Sequence, residues 1–176
     1  MLLEPSRTNL ITQSEAFGNS YWTKSGASIQ GDPSTTGSEL ITDGNFASNS
    51  NWGAVNVVVA NGVATFNGTN GQESTLFQQN VAISTTGGTL HTLTYTVTSN
   101  SLEGSANFYV GLRTNDECIL KTNIPMTVGT HTVYGNSVGT GNGFSLHTSV
   151  GFTGGSLVID NVSVKEVQGF TSPDGT

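Results

Sequence analysis

Five side chains have the chemistry to hold a sugar: Asn107, Tyr109, Arg113, Tyr134 and His147. A pyranose ring offers a C–H-rich face that packs on an aromatic ring. Its hydroxyls pair with amide, guanidinium and imidazole groups. Strand alternation puts Asn107, Tyr109 and Arg113 on one face of a run whose other face carries Phe108, Val110 and Leu112. His147 falls on the polar face of the run 144–150, and Tyr134 belongs to a neighbouring run. The same residue types also suit a structural role, in which Tyr109 and His147 pack under a loop or against a neighbouring subunit.

Other chemistry is thinly represented. His91, His131 and His147 fall in separate predicted strands without metal-ligand spacing. His91 and His131 read as edge or solvent-facing strand residues. A glycosidase needs two carboxyl groups flanking the scissile bond, and twelve acidic residues leave a polysaccharide depolymerase as the enzymatic alternative. No nucleophile–base constellation is visible, so the chain is expected not to be an enzyme. The Gly-rich stretch 139–143 has no following Lys-Ser/Thr or helix and is not a phosphate loop. Cys118 is the one cysteine of the chain, which excludes an internal disulfide and a multi-Cys zinc site, and it reads as a small buried hydrophobe.

Composition narrows the partners. Across 176 residues, five Lys+Arg stand against twelve Asp+Glu, a formal net charge of −7. A nucleic-acid or anionic-membrane surface needs a basic face that this chain cannot easily build. No apolar run approaches the ~18 residues of a membrane-spanning helix, and no secretory signal is visible at the N-terminus. Only 10% of residues are charged and 34% are hydrophobic. With so many β-branched residues, that balance predicts a turn-rich β-protein over a disordered chain.

Runs of period 2 are predicted as strands at 39–42, 54–60, 63–67, 74–83, 89–98, 106–113, 118–121, 126–134, 144–150 and 156–166. Asn61-Gly62 between Val-rich runs signals a type I′ hairpin. Leu93, Tyr95 and Val97 alternate with Thr92, Thr94, Thr96 and Thr98, giving one dry and one wet face. In the last run the apolar phase shifts from Leu157 and Ile159 to Val162 and Val164, which predicts a bulge near Asp160-Asn161. Helix is confined to a possible turn at 14–17. Strands of this spacing predict an all-β antiparallel sandwich.

Two stretches carry resemblances. Leu2-Leu3-Glu4-Pro5-Ser6-Arg7-Thr8-Asn9-Leu10, then Ser14-Glu15-Ala16-Phe17 and Tyr21-Trp22, resembles a segment of tail-fibre and other virion proteins of tailed bacteriophages. Leu40-Ile41-Thr42-Asp43-Gly44-Asn45-Phe46, then Trp52, and finally Val158-Ile159-Asp160-Asn161-Val162-Ser163-Val164 resembles the opening and closing strands of the carbohydrate-binding-module-like β-jelly-roll. The second resemblance implies that 39–46 and 156–166 lie together and that Trp52 anchors the core. It also implies a structural Ca²⁺ between first and last strands. Asp160 matches the closing-strand acid, but Ala47 stands where a carboxylate is expected, leaving Asp43 as the weaker substitute.

The resulting organisation is an N-terminal anchoring arm (1–38), a jelly-roll (39–167) and a C-terminal tail (168–176). Leu2, Leu3, Leu10, Ile11, Phe17, Tyr21 and Trp22 are too many apolar groups for a free tail, since burying each contributes roughly 1.5–3 kcal/mol. The phage resemblance implies a virion structural protein (a capsid-decoration, head-fibre or tail-fibre subunit) assembled in bacterial cytoplasm. It also implies other virion proteins as partners and a homo-oligomer, a trimer above all. Surface glycans are the expected ligands of the jelly-roll. A pure cement protein without glycan binding is the alternative.

Overall fold

The structure, a computed structural model, describes residues 36–68, 71–79, 81, 89–105, 107–112, 118–121, 123–137 and 143–167, with backbone alone at 112 and 118–121. In chain order the strands are β1 (Thr36–Glu39), β2 (Gly53–Val55), β3 (Val57–Ala60), β4 (Val63–Asn67), β5 (Ser74–Gln79), β6 (Leu90–Asn100), β7 (Glu103–Gly104), β8 (Phe108–Leu112), β9 (Cys118–Lys121), β10 (Gly129–Asn136), β11 (Gly143–Thr148), β12 (Phe152–Gly154) and β13 (Ser156–Val167). No helix occurs among the described residues. Residues 1–35 of the arm, Arg113, the 14–17 turn and the C-terminal tail lie outside them, whereas residues 36–38 belong to β1.

The strands make two principal antiparallel sheets. One runs β10-β6-β13-β4-β3, with β1 added on β13, and the other runs β2-β5-β11-β8-β9. Their inner faces meet in a common core. Phe66 and Tyr95 of the first sheet set their rings edge-on to Phe108 of the second, at centroid distances of 5.4 and 5.9 Å. Leu93, Tyr95, Val97, Val110, Leu146, Leu157 and Ile159 fill the rest, as the alternation predicted. Asn61 and Gly62 have φ of 55° and 76°, and Ala60 pairs with Val63, so the β3–β4 turn is the predicted hairpin. A small third sheet, β12-β7, was not foreseen. Its tight glycine packing leaves no apolar alternation to read.

Two expected strands differ in instructive ways. The run 54–60 breaks at Asn56 (φ 54°), so that β2 joins one sheet and β3 the other. The opening strand is 36–39 and not 39–42, because past Glu39 side chains first share and then take over the hydrogen bonds that a ladder would supply. Glu39 Oε1 accepts from the N–H groups of Leu40 (3.2 Å) and Ile41 (3.0 Å). The buried Gln78 amide accepts from Thr42 N–H (3.2 Å) and donates to Thr42 O.

The opening and closing segments do lie together. Gly44 O accepts from Val162 N–H at 2.8 Å, and Val164 O from Leu40 N–H at 2.9 Å. Register shifts between Asp160 and Ser163, with Asn161 at φ 54°, place the bulge where the phase change put it. Glu39 also holds the strand just past the bulge, accepting from Val164 N–H (2.9 Å) and Ser163 Oγ–H (2.5 Å). Replacing Glu39 with Ala is expected to lower stability by about 1–2 kcal/mol, measurable by urea denaturation, because backbone donors lose a charged acceptor.

His91 is not solvent-facing: it is 2% exposed and packs inward from β6. His131 is half-buried, its ring 5.5 Å from Tyr95. Burial lowers the His91 pKa from its ordinary 6.5, against opposing pulls from the Thr89 carbonyl and Glu166. Below pH 6.5 the unfolded chain therefore binds a proton that the folded one resists. Stability is expected to be unaffected by His91 above that pH and to fall as pH drops through the window beneath it. A His91→Phe variant should lose that component of a stability-versus-pH series.

Candidate functional site

The outer face of the β2-β5-β11-β8-β9 sheet carries an organised polar and aromatic cluster. His147 of β11 lies directly opposite Tyr109 of β8 in the ladder, so both side chains leave the same face. Their rings stack with centroids 4.8 Å apart and planes 14° from parallel. Thr75 of β5 flanks His147 on the other side. Glu73, just ahead of β5, reaches both rings. One of its oxygens stands 3.0 Å from His147 Nδ1 and accepts from the Tyr109 hydroxyl at 3.3 Å.

The second imidazole nitrogen is also engaged: Nε2 lies 2.8 Å from Ser145 Oγ, two residues back on the same strand. A carboxylate only accepts, so Nδ1 carries the proton facing Glu73. When the ring is neutral, Nε2 accepts the Ser145 hydroxyl proton. When it is charged, Nε2 donates, and Ser145 turns its proton to Gly111 O, 3.3 Å away. Either state keeps the ring in place. The order hydroxyl–imidazole–carboxylate is that of a hydrolase triad. Ser145, however, is 1% exposed, and β11 pairs with strands on both sides, which commits its backbone N–H groups to the ladder. The line serves to orient the imidazole.

Phe77 extends the face along β5. A Cβ at Gly53 would lie 2.2 Å from the Phe77 ring, so the ring is laid against the bare backbone of β2. Asn107 is exposed two residues before Tyr109, on the same side, its backbone N–H donating to Ser149 Oγ at 2.9 Å. Burial raises the Tyr109 phenol pKa above its ordinary 10.0, and the charge and hydrogen bond of Glu73 add to it. Glu73→Gln is expected to bring the Tyr109 titration down toward that value, followed by NMR of the ring carbons.

Of the five sugar-binding candidates, the structure brings together Asn107, Tyr109 and His147. Tyr134 is paired with Thr92 on the outer face of the other sheet, 47% exposed, and does not join them. Arg113 lies outside the described residues, as do the arm residues Leu2, Leu3, Leu10, Ile11, Phe17, Tyr21 and Trp22. Glu73, Thr75, Phe77 and Ser145 were not anticipated. Alternation in STLFQQ marks Thr75 and Phe77 as outward, but nothing in the sequence aims Glu73 from its loop onto a β8–β11 pair.

Asp43 and Asp160 each spend their carboxylates locally. Asp43 accepts from Ala47 N–H (2.9 Å) and Ser48 N–H (3.0 Å), and Asp160 from the backbone and side-chain amides of Asn161 (2.6 and 3.1 Å). No group of three His, Cys, Asp or Glu suited to a metal ion occurs among the described residues. Trp52 packs 5.1 Å from Phe46 and 6.5 Å from Phe144, its indole N–H donating to Asp43 O at 3.0 Å.

No protein-family model matches the sequence, and no curated protein matches it. Solved structures do share the fold. The N-terminal cellulose-binding domain of Cellulomonas fimi β-1,4-glucanase C aligns with a TM-score of 0.52 and 18% identity, over 74% of this chain and 97% of that one. A CBM4 structure aligns at 0.50 and 19%, over 67% of this chain and 96% of that one. An arabinose-bound GH51 α-L-arabinofuranosidase aligns at 0.50 and 17%, over 73% of this chain but only 26% of the enzyme. At these identities the likeness is one of fold, and the chain has the antiparallel β-sandwich jelly-roll of carbohydrate-binding modules.

Proposed function

We propose that this chain is a glycan-binding module, and that the outer face of the β2-β5-β11-β8-β9 sheet holds the saccharide. The observation that carries this reading is the Tyr109–His147 stack, tied down at three polar points by Glu73 and Ser145. Rings held in one orientation lose little freedom when a sugar packs on them. Glu73, Thr75 and Asn107 then supply acceptors and donors for hydroxyls. The fold supports the same reading, since the neighbours named above include a cellulose-binding domain. With Glu73 in the site and a net charge of −7, the preferred glycans are neutral, because uronic or sialic acid carboxylates would meet like charge. Stacking and hydrogen bonding require no cofactor.

In the same reading the module is a non-enzymatic subunit of a phage virion. The resemblance of residues 1–30 to tail-fibre and other virion segments supports this, as does the apolar character of that arm. The arm anchors the subunit to capsid or tail proteins, in a trimeric assembly, and the sandwich faces outward. Glycan-array and affinity-electrophoresis measurements test the ligand. Saturable binding of neutral polysaccharides without release of reducing ends is expected. Binding with product release would convert the reading to a depolymerase, and no binding would leave a cement protein. Deleting residues 1–30 is expected to abolish incorporation into particles while the sandwich still folds; normal incorporation would remove the anchoring role.

A further inference from the structure

We propose that the sandwich interior holds one water molecule, bound as a hydrogen-bond donor to His91 Nε2. The site is distinct from the outer-face cluster and independent of the glycan reading. His91 Nδ1 lies 3.0 Å from Thr89 O. A carbonyl only accepts, so Nδ1 carries the ring proton and the neutral imidazole turns a bare lone pair at Nε2. Among the described residues no group hydrogen-bonds to that nitrogen, although the residue is only 2% exposed.

The same ring lines a cavity of ≈ 10 Å³ together with Leu93, Val110, Val133 and Val164, about the space that one water fills. Tyr134 and Gly135, from the edge strand β10, complete the wall. An occupant must be small enough for this space and must donate one proton to an imidazole nitrogen. Water meets both conditions. The alternative is a buried acceptor left unpaired beside aliphatic side chains, and native interiors rarely keep one. An internal water also explains why a histidine is tolerated where its strand neighbours on the inner face are Leu93, Tyr95 and Val97.

Oxygen-17 relaxation dispersion counts waters held longer than the tumbling time, and it applies to the full chain at pH above 7. The wild type should exceed His91→Phe by the amplitude of one such water. Val133→Leu keeps the imidazole and adds a methylene to the cavity wall, so it serves even if the first variant fails to fold; the same loss of one water is expected. Equal amplitudes in the wild type and the folded variants would overturn the proposal. So would a high-resolution crystal structure without density within hydrogen-bond reach of Nε2.

Discussion

Replacing Tyr109 with Ala is expected to weaken binding of a neutral polysaccharide at least tenfold while leaving the sandwich folded. Tenfold corresponds to about 1.4 kcal/mol, a modest figure for an aromatic residue at the centre of a binding face. The variant removes one face of the stack with His147 and one of the two hydrogen bonds on the Glu73 oxygen, which His147 Nδ1 still holds. Because Tyr109 points outward while Phe108 and Val110 fill the core, its loss should leave the melting temperature within a few degrees. His147→Ala is expected to act in the same direction. Tyr109→Phe should retain most of the affinity, since it keeps the ring and loses only the bond to Glu73. Isothermal titration with one polysaccharide preparation separates the three variants.

Gly44→Ala is expected to be the more damaging change to the fold, by about 3 kcal/mol, or a melting temperature lower by about 10 °C. A Cβ built on Gly44 would lie 1.9 Å from Val162 O, and backbone cannot move aside as a side chain can. The contact sits where Val162 N–H donates to Gly44 O, so relief of the clash breaks the bond that closes the jelly-roll. Trp52, whose indole N–H is held by Asp43 O next to that point, would shift with it. A thermal melt near the wild-type value would show that the two segments are not in this contact.

Much of this was legible in the residues. The alternation of Leu93, Tyr95 and Val97 against threonines placed β6 and its dry face, and the phase change at Asp160-Asn161 located the bulge, because a one-residue insertion flips every later side chain. The Asp43-Gly44-Asn45-Phe46 stretch makes sense only in the fold: Asp43 and Phe46 both take positive φ, at 57° and 53°, and Gly44 provides the close approach to β13. Sheet membership was not legible. Tyr134 and Tyr109 look alike as outward-facing strand residues, yet one belongs to each sheet, since strand pairing over long separations leaves no local mark. His91 was misplaced for a related reason: a polar residue in an alternating strand reads as solvent-facing until its neighbours are known. Glu73 and Ser145 of the outer-face cluster were not legible either, because Glu73 acts from a loop and Ser145 is covered despite lying on the wet face.

The most direct test titrates the isotope-labelled full chain with a neutral oligosaccharide and follows amide and ring shifts. The account predicts saturable changes centred on Glu73, Thr75, Tyr109 and His147, with Thr92, Thr132 and Tyr134 on the opposite sheet unmoved. Changes centred on those last three residues, or none at saturating sugar, would contradict it.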